Sequence, residues 1–403
     1  MKLRTAILGA AALAWTIGPA QAQVSDDVVR VGVLNDQSGL YADNTGQGSV
    51  VAARMAAEDF GGKLLGKPIE IVFADHQNKA DIGSNITRQW IDEGGVDAIA
   101  DVGNSAVALA VQAITRDKGR VHLNTGAASS DLTGKDCSPT GFSWVYDTYA
   151  LASGTGKALV KQGGDTWFFL SADYSFGQAL ERDTSKFIKE AGGKVLGSVR
   201  VPLNTNDFSS FLLQAQGSGA KVIGLANAGG DTINSIKQAA EFGIVKGGQR
   251  LAGLLVFLND IHALGLETAQ GLVITTPFYW DQNDETRAWT RRFVERHGKP
   301  ASYIQAGTYS AVMHYLKAIA AAGTDDGRTV AAKMKALPVD DFMTKGAQVR
   351  EDGRVMRDMY LVQVKSPAES KYPWDYYKIL TTIPAAEAYR PLSEGNCPFV
   401  KKG

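Results

Sequence analysis

The sequence predicts an α/β fold of two doubly wound, Rossmann-like lobes facing one another across a ligand cleft. Three observations predict it. Short β-branched runs of four to eight residues alternate with longer amphipathic segments, the pattern of strands buried on both faces of a parallel sheet. The same strand–helix grammar is used once before about Tyr149 and again after it. With 403 residues, 44% of them apolar, the chain can also fill more than one core. Forty-two basic residues cancel forty-two acidic ones, so nothing in the net charge favours nucleic acid or an acidic membrane surface. Two cysteines and five scattered histidines exclude a zinc cluster as the organising principle, and no cofactor is expected.

The elements follow in order. Lys2 and Arg4, the apolar run Ala6 to Ile17, Pro19 and the small-x-small site Ala20-Gln21-Ala22 read as a secretory signal peptide over residues 1–22, cleaved after Ala22. The apolar run is too short to span a bilayer, so the mature chain is expected to be exported free of the membrane. Strands are then predicted at Val28 to Asn35, Ile69 to Asp75, Ala98 to Asp101 and Val121 to Asn124, with helices at Gly46 to Asp59, Ala80 to Glu93 and Ala106 to Lys118. The second series has strands at Thr166 to Ser171, Lys194 to Val201, Lys221 to Ala226 and Leu251 to Leu258. Its helices are Phe176 to Glu190, Phe208 to Gly217 and Thr232 to Phe242. Beyond Pro277 come helices at Glu285 to His297, Ala301 to Ala322 and Thr329 to Leu337, then a strand at Met359 to Lys365. A chain that builds one lobe, then another, then returns must cross more than once. The expected division is 27–148 with about 277–357 for lobe 1, 149–276 with about 358–385 for lobe 2, and 386–403 as a tail.

Export makes Cys137 and Cys397 an expected disulfide, since they are an even pair in an oxidising compartment and both lie in turn-like sequence. The bridge would close a loop of about 260 residues and pin the tail.

In open α/β sheets ligands sit beyond the carboxyl ends of the strands, where helix N-termini present free N–H groups. Three loops occupy such places: Gly103-Asn104-Ser105, Thr125 to Asp131 (with Gly126, Ala127 and Ala128), and Asn227 to Asp231. Each reads as anion-binding backbone or as a plain cap or loop. Tyr41, Tyr149, Tyr174, Phe176 and Tyr279 lie near strand ends, Tyr174 and Phe176 between a strand end and a helix start. A secreted hydrolase is the rival class, but neither a Gly-x-Ser-x-Gly elbow nor a His-Glu-x-x-His run is present.

Val31-Gly32-Val33-Leu34 with Gln37-Ser38-Gly39, then Ala74-Asp75-His76-Gln77, Gly103-Asn104-Ser105, Asn124-Thr125-Gly126-Ala127, Asp173 to Gly177, Asp207-Phe208-Ser209 and Pro300 to Tyr309 succeed one another along the chain. In order and spacing this resembles the leucine/isoleucine/valine-binding (type I) family of periplasmic solute-binding proteins of ABC importers. The run Ser130 to Lys135, with Cys137-Ser138-Pro139 and Tyr146 to Ala150, resembles the branch associated with aromatic carboxylates. The resemblance implies a two-lobed, non-enzymatic receptor in the periplasm, expected as a monomer, that closes on a small solute and delivers it to membrane permease subunits. Carried over residue by residue, the serine that grips the solute's carboxylate falls at Asn104 or Ser105, and its neighbouring donors at Gly126 to Ala128. The lobe-two aromatic falls at Phe176, with Tyr174 beside it. The expected ligand set is completed by Ser38, Tyr41, Tyr149, Asn227 and Asp231. The acidic residue that holds an α-ammonium falls near Leu258, with Asp260 and Asp231 the nearest carboxylates. A buried ammonium without a carboxylate costs several kcal/mol, so an acid without an amine is expected, with a branched-chain amino acid as the alternative.

Overall fold

Six strands form the first sheet of the computed structural model, which describes residues 24–401. Their order across the sheet is Lys63–Leu64, Lys67–Asp75, Val29–Asn35, Ala98–Asp101, Val121–Asn124 and Gly141–Ser143. All neighbours are parallel except the hairpin of the first two. Val31, Val33, Ile99, Ala100 and Leu123 are fully buried, which is why these runs carry no polar alternation. The order reverses beside Val29–Asn35, and at such a switch point the loops beyond the carboxyl ends diverge and leave a crevice. Helices Gly46–Asp59, Ala80–Asp92 and Ser105–Lys118 connect the strands.

The second sheet is entirely parallel, in the order Arg250–Gly253, Val222–Ala226, Thr166–Ala172, Lys194–Val201. A three-stranded antiparallel sheet of Val273–Thr276, Met359–Val364 and Tyr377–Ile383 joins this lobe. Its Ile274, Val362 and Val364 share one core with Leu170, Ile223 and Leu225. The long helix Tyr303–Ala322 packs instead on Gly46–Asp59 of the first lobe. Glycine permits that approach: a Cβ on Gly48 would lie 2.2 Å from the Gln305 side chain.

One expectation is corrected. Leu251 to Leu258 is not one strand: the strand ends at Gly253, and Leu258–Leu264 is a helix. An apolar run without alternation does not distinguish a buried strand from a buried helix start. Here Asp260 decides it, its carboxylate accepting the Phe257 N–H at 2.9 Å at the helix N-terminus. The strand Tyr377–Ile383 went unpredicted because residues 378–382 are exposed, leaving no buried face to read. The expected signal peptide, residues 1–22, lies outside the described residues.

Cys137 and Cys397 are bonded, with Cα atoms 5.6 Å apart. The tail is held by more than sulfur. Arg350 donates to the Arg390 carbonyl at 2.8 Å, Arg390 donates to the Ser130 carbonyl at 2.9 Å, and Lys186 of the second lobe pairs with Glu394 at 2.7 Å. Where the chain leaves the first sheet, Asp147 caps the helix Thr148–Leu151 by accepting the Ala150 N–H at 2.8 Å. Its other oxygen faces the fully buried guanidinium of Arg354 at 3.5 Å. The ring of Tyr389 covers that guanidinium at 4.8 Å from the ring centroid.

Candidate ligand-binding cleft

The helix Ser105–Lys118 starts immediately after the strand Ala98–Asp101, so its N-terminus opens at the carboxyl end of the first sheet. Asn104 caps it, accepting the N–H groups of Ala106 at 2.9 Å and Val107 at 3.3 Å. The Ser105 hydroxyl accepts the Ser129 N–H at 3.2 Å, which leaves its own hydrogen to donate. Beside it the loop at Gly126 presses against Gly103: a Cβ on Gly126 would lie 2.6 Å from the Asp101 carboxylate and 2.7 Å from the Gly103 Cα. Glycine therefore brings two backbone segments to one point, and Tyr146 fixes the second by donating to the Gly126 carbonyl at 2.6 Å.

The second lobe faces this point with Tyr174 and Phe176, at the start of the helix Ser175–Glu190. The lobes touch. Tyr41 and Tyr174 share a hydrogen bond between their hydroxyls at 2.8 Å, Asn44 donates to Asp260 at 3.1 Å, and Asn259 donates to the Asp43 carbonyl at 2.9 Å. Burial pushes both phenols, Tyr41 and Tyr174, up, so they stay protonated at neutral pH.

Between the lobes lies a hollow of about 20 Å³, room for about one water molecule, so the cleft is nearly shut. Aromatic and aliphatic walls come from Tyr41, Tyr146, Tyr174, Phe176, Leu255, Phe257 and Ile304, and polar atoms from Asn44, Thr45 and Ser105. None of the lining residues is Asp, Glu, Lys or Arg. Carboxylates are close but turned away. Asp101 is engaged by Asn35 at 2.7 Å and Thr125 at 3.3 Å, Asp260 by Phe257 and Asn44, and Asp231 by the Thr205 N–H at 3.1 Å. Burial pushes each of these three carboxyls up to about 6.

Of the sequence-predicted residues, Tyr41, Ser105, Gly126, Ala128, Tyr174 and Phe176 meet around the hollow. The others do not line it, each for a visible reason. Asn104 turns its Oδ1 to the helix cap. Ala127 is clasped by Asn124, which donates to its carbonyl and accepts its N–H. Ser38 donates to Asp75 at 2.8 Å, and Tyr149 packs edge-on against Phe187 at 4.9 Å between centroids. Asn227 holds Thr232 and Ser235. The Gly229-Gly230 pair beside it serves lobe contact, since a Cβ on Gly229 would lie 2.7 Å from the Leu40 carbonyl. Sequence reasoning missed Asn44, Thr45, Leu255, Phe257 and Ile304. Asn44 and Thr45 stood in plain view, because they precede a helix after a strand end just as Asn104 does before Ser105–Lys118. Ile304, on a helix from a distant part of the chain, carried no such signal.

The family model of periplasmic binding proteins matches residues 28–371. The chain belongs to this family. A solved periplasmic binding protein from Burkholderia mallei is 53% identical, with a TM-score of 0.91 over 93% of this chain and 100% of the other. A branched chain amino acid ABC transporter periplasmic ligand-binding protein from Burkholderia xenovorans LB400 is 41% identical, with a TM-score of 0.82 over 92% and 99%. The Leu/Ile/Val-binding protein homolog 6 of Brucella melitensis is 28% identical, over 86% of this chain and 90% of its own. Members of the family are solute-binding proteins, and the type I arrangement of two α/β lobes around a cleft is the one described above.

Proposed function

We propose that the protein is the periplasmic receptor of an ABC importer and closes its lobes on a small carboxylate-bearing solute, preferably aromatic or hydrophobic and without an amine. One observation carries the solute class: the hollow is walled by rings, offers hydroxyl, amide and helix N-terminal donors, and is lined by no charged side chain. A carboxylate there is held by the Ser105 hydroxyl and the helix N-terminus, with Gly126 and Ala128 alongside, and needs no arginine. A flat ring lies against Tyr174, Phe176 and Phe257, where stacking adds to burial. In the same reading the signal peptide is cleaved after Ala22, the monomer works with the permease subunits, and the lobes divide near residues 148, 277 and 357. Crossings at those points let the lobes part to admit solute.

The second reading, a receptor for branched-chain amino acids, is favoured by what the Burkholderia xenovorans and Brucella relatives are named for. Against it stands the ammonium, for which Asp260 is already engaged by Asn44 and Phe257 and lies behind them. Calorimetry on the purified protein with benzoates, phenylpropanoids, leucine and valine separates the two. Aromatic acids are expected to bind and to raise the melting point by mass action. Tight leucine binding with no response to aromatic acids overturns the solute class. Ser105→Ala is expected to weaken binding of the responding acid by about 1 to 3 kcal/mol, the range for a hydrogen bond to a charge. An unchanged Kd would remove Ser105 from the carboxylate site.

A further inference from the structure

Closure of the cleft buries many polar atoms, and nearly all of those at the hollow find partners. Thr45 donates to backbone carbonyls at 3.1 and 3.3 Å, Tyr146 to Gly126, Tyr41 and Tyr174 to each other, and Ser105 accepts from Ser129. One atom stands apart. The Asn44 side-chain oxygen, Oδ1, is buried with no hydrogen-bond partner. Among the described residues it is the single such side-chain atom that belongs to a residue lining the hollow.

The orientation of the amide is fixed by its other end. Asn44 Nδ2 donates to Asp260 Oδ1 at 3.1 Å, and a flipped amide would set oxygen against the carboxylate. Asn44 itself is held: Ser302 donates to its backbone carbonyl at 2.6 Å, and its N–H donates to the Tyr41 carbonyl at 3.0 Å. The main chain that carries the amide is therefore held on both sides. A buried carbonyl oxygen left unmet loses about as much as a hydrogen bond provides, and native proteins rarely tolerate it without a partner. The lining hydroxyls, on Tyr41, Thr45, Ser105, Tyr146 and Tyr174, make no bond to it, and Phe257 and Ile304 are apolar.

We infer that Asn44 Oδ1 receives a hydrogen-bond donor carried by the solute, so that the ligand is an aromatic acid bearing a ring hydroxyl rather than an unsubstituted one. This rests on the aromatic-acid reading above and adds a second polar contact to the carboxylate. A neutral hydroxyl suits the site better than an ammonium, because the acceptor is an uncharged amide and the nearby Asp260 already carries two donors.

The test compares benzoate with 3- and 4-hydroxybenzoate by calorimetry on the wild-type protein, which needs no variant to fold. At least one hydroxylated acid is expected to bind about tenfold tighter than benzoate, within the range for one buried hydrogen bond. Asn44→Leu, similar in size but without an acceptor, is expected to bring the two affinities to within about twofold of each other. Equal wild-type affinities for benzoate and both hydroxybenzoates, as when a water serves Oδ1, overturn the inference and leave the aromatic-acid reading standing. A preference that survives Asn44→Leu overturns the assignment to Asn44. Failure of all three acids to bind overturns both.

Discussion

Removing the Cys137–Cys397 bridge lowers the unfolding free energy by about 5 kcal/mol. The cysteines are 260 residues apart, so the crosslink restrains the unfolded chain over most of its length, and the chain-entropy relation grows with the logarithm of that loop. The folded state loses much less, because the tail keeps Arg390 on Ser130, Arg350 on Arg390 and Glu394 on Lys186. The double variant Cys137→Ser, Cys397→Ser should therefore unfold at much lower urea concentration yet retain its secondary structure at zero denaturant. It should still bind solute, since among the described residues none beyond Ile304 lines the hollow. The oxidised wild type should release no titratable thiol on unfolding. Coincident urea midpoints for wild type and double variant would show that the bridge does not restrain the unfolded state.

The bridge was legible in the sequence because it needs only compartment and parity, and the two-lobe plan was legible because buried parallel strands leave unbroken apolar runs. The cleft was half legible. Residues placed by a strand end and the following helix, such as Ser105, Gly126, Tyr174 and Phe176, are positioned by local chain geometry that a sequence displays. Leu255, Phe257 and Ile304 reach the hollow only because distant segments pack there, and nothing local marks them. Asn104 shows a local signal with two readings. A cap and a ligand donor are the same residue type at the same position, and here the Oδ1 makes the cap by accepting from Ala106 and Val107. Asp260 shows how a misread element displaces a site: taking Leu251 to Leu258 as one strand hid the helix start on which the carboxylate stands.

Arg354→Met is expected to cost about 3 to 5 kcal/mol, the range for breaking a buried pair from one side. Methionine fills much of the aliphatic volume, so the loss measures chiefly the charge left behind on Asp147. That carboxyl is buried, and burial raises its pKa while Arg354, the Ala150 N–H and Arg390 lower it. Without Arg354 the largest opposing charge is gone and the pKa rises further. A carboxyl whose folded pKa lies above its unfolded value contributes stability that is present at low pH and is lost as pH rises through the folded pKa. The deficit of Arg354→Met should therefore be largest at neutral pH and shrink toward pH 4, and adding Asp147→Asn should restore part of the stability at neutral pH. Urea unfolding of the three proteins at both pH values reads this directly, and a deficit equal at the two values would mean that Arg354 acts through packing alone. Under the proposed lobe division, the pair also joins two parts of the chain that run between the lobes. Asp147 opens the helix entered on leaving the first sheet, and Arg354 forms a parallel bridge with Ser143 shortly before the strand Met359–Val364 rejoins the second lobe. Tyr389 lies over the guanidinium and donates to the Val145 carbonyl at 3.2 Å, so the tail holds the same junction. A junction fixed by one buried charge pair keeps these segments in register while the lobes turn about them. Arg354→Met should consequently broaden the range of lobe angles, seen as a larger radius of gyration by small-angle scattering without solute, and solute should reverse it by joining the two lobes across the cleft.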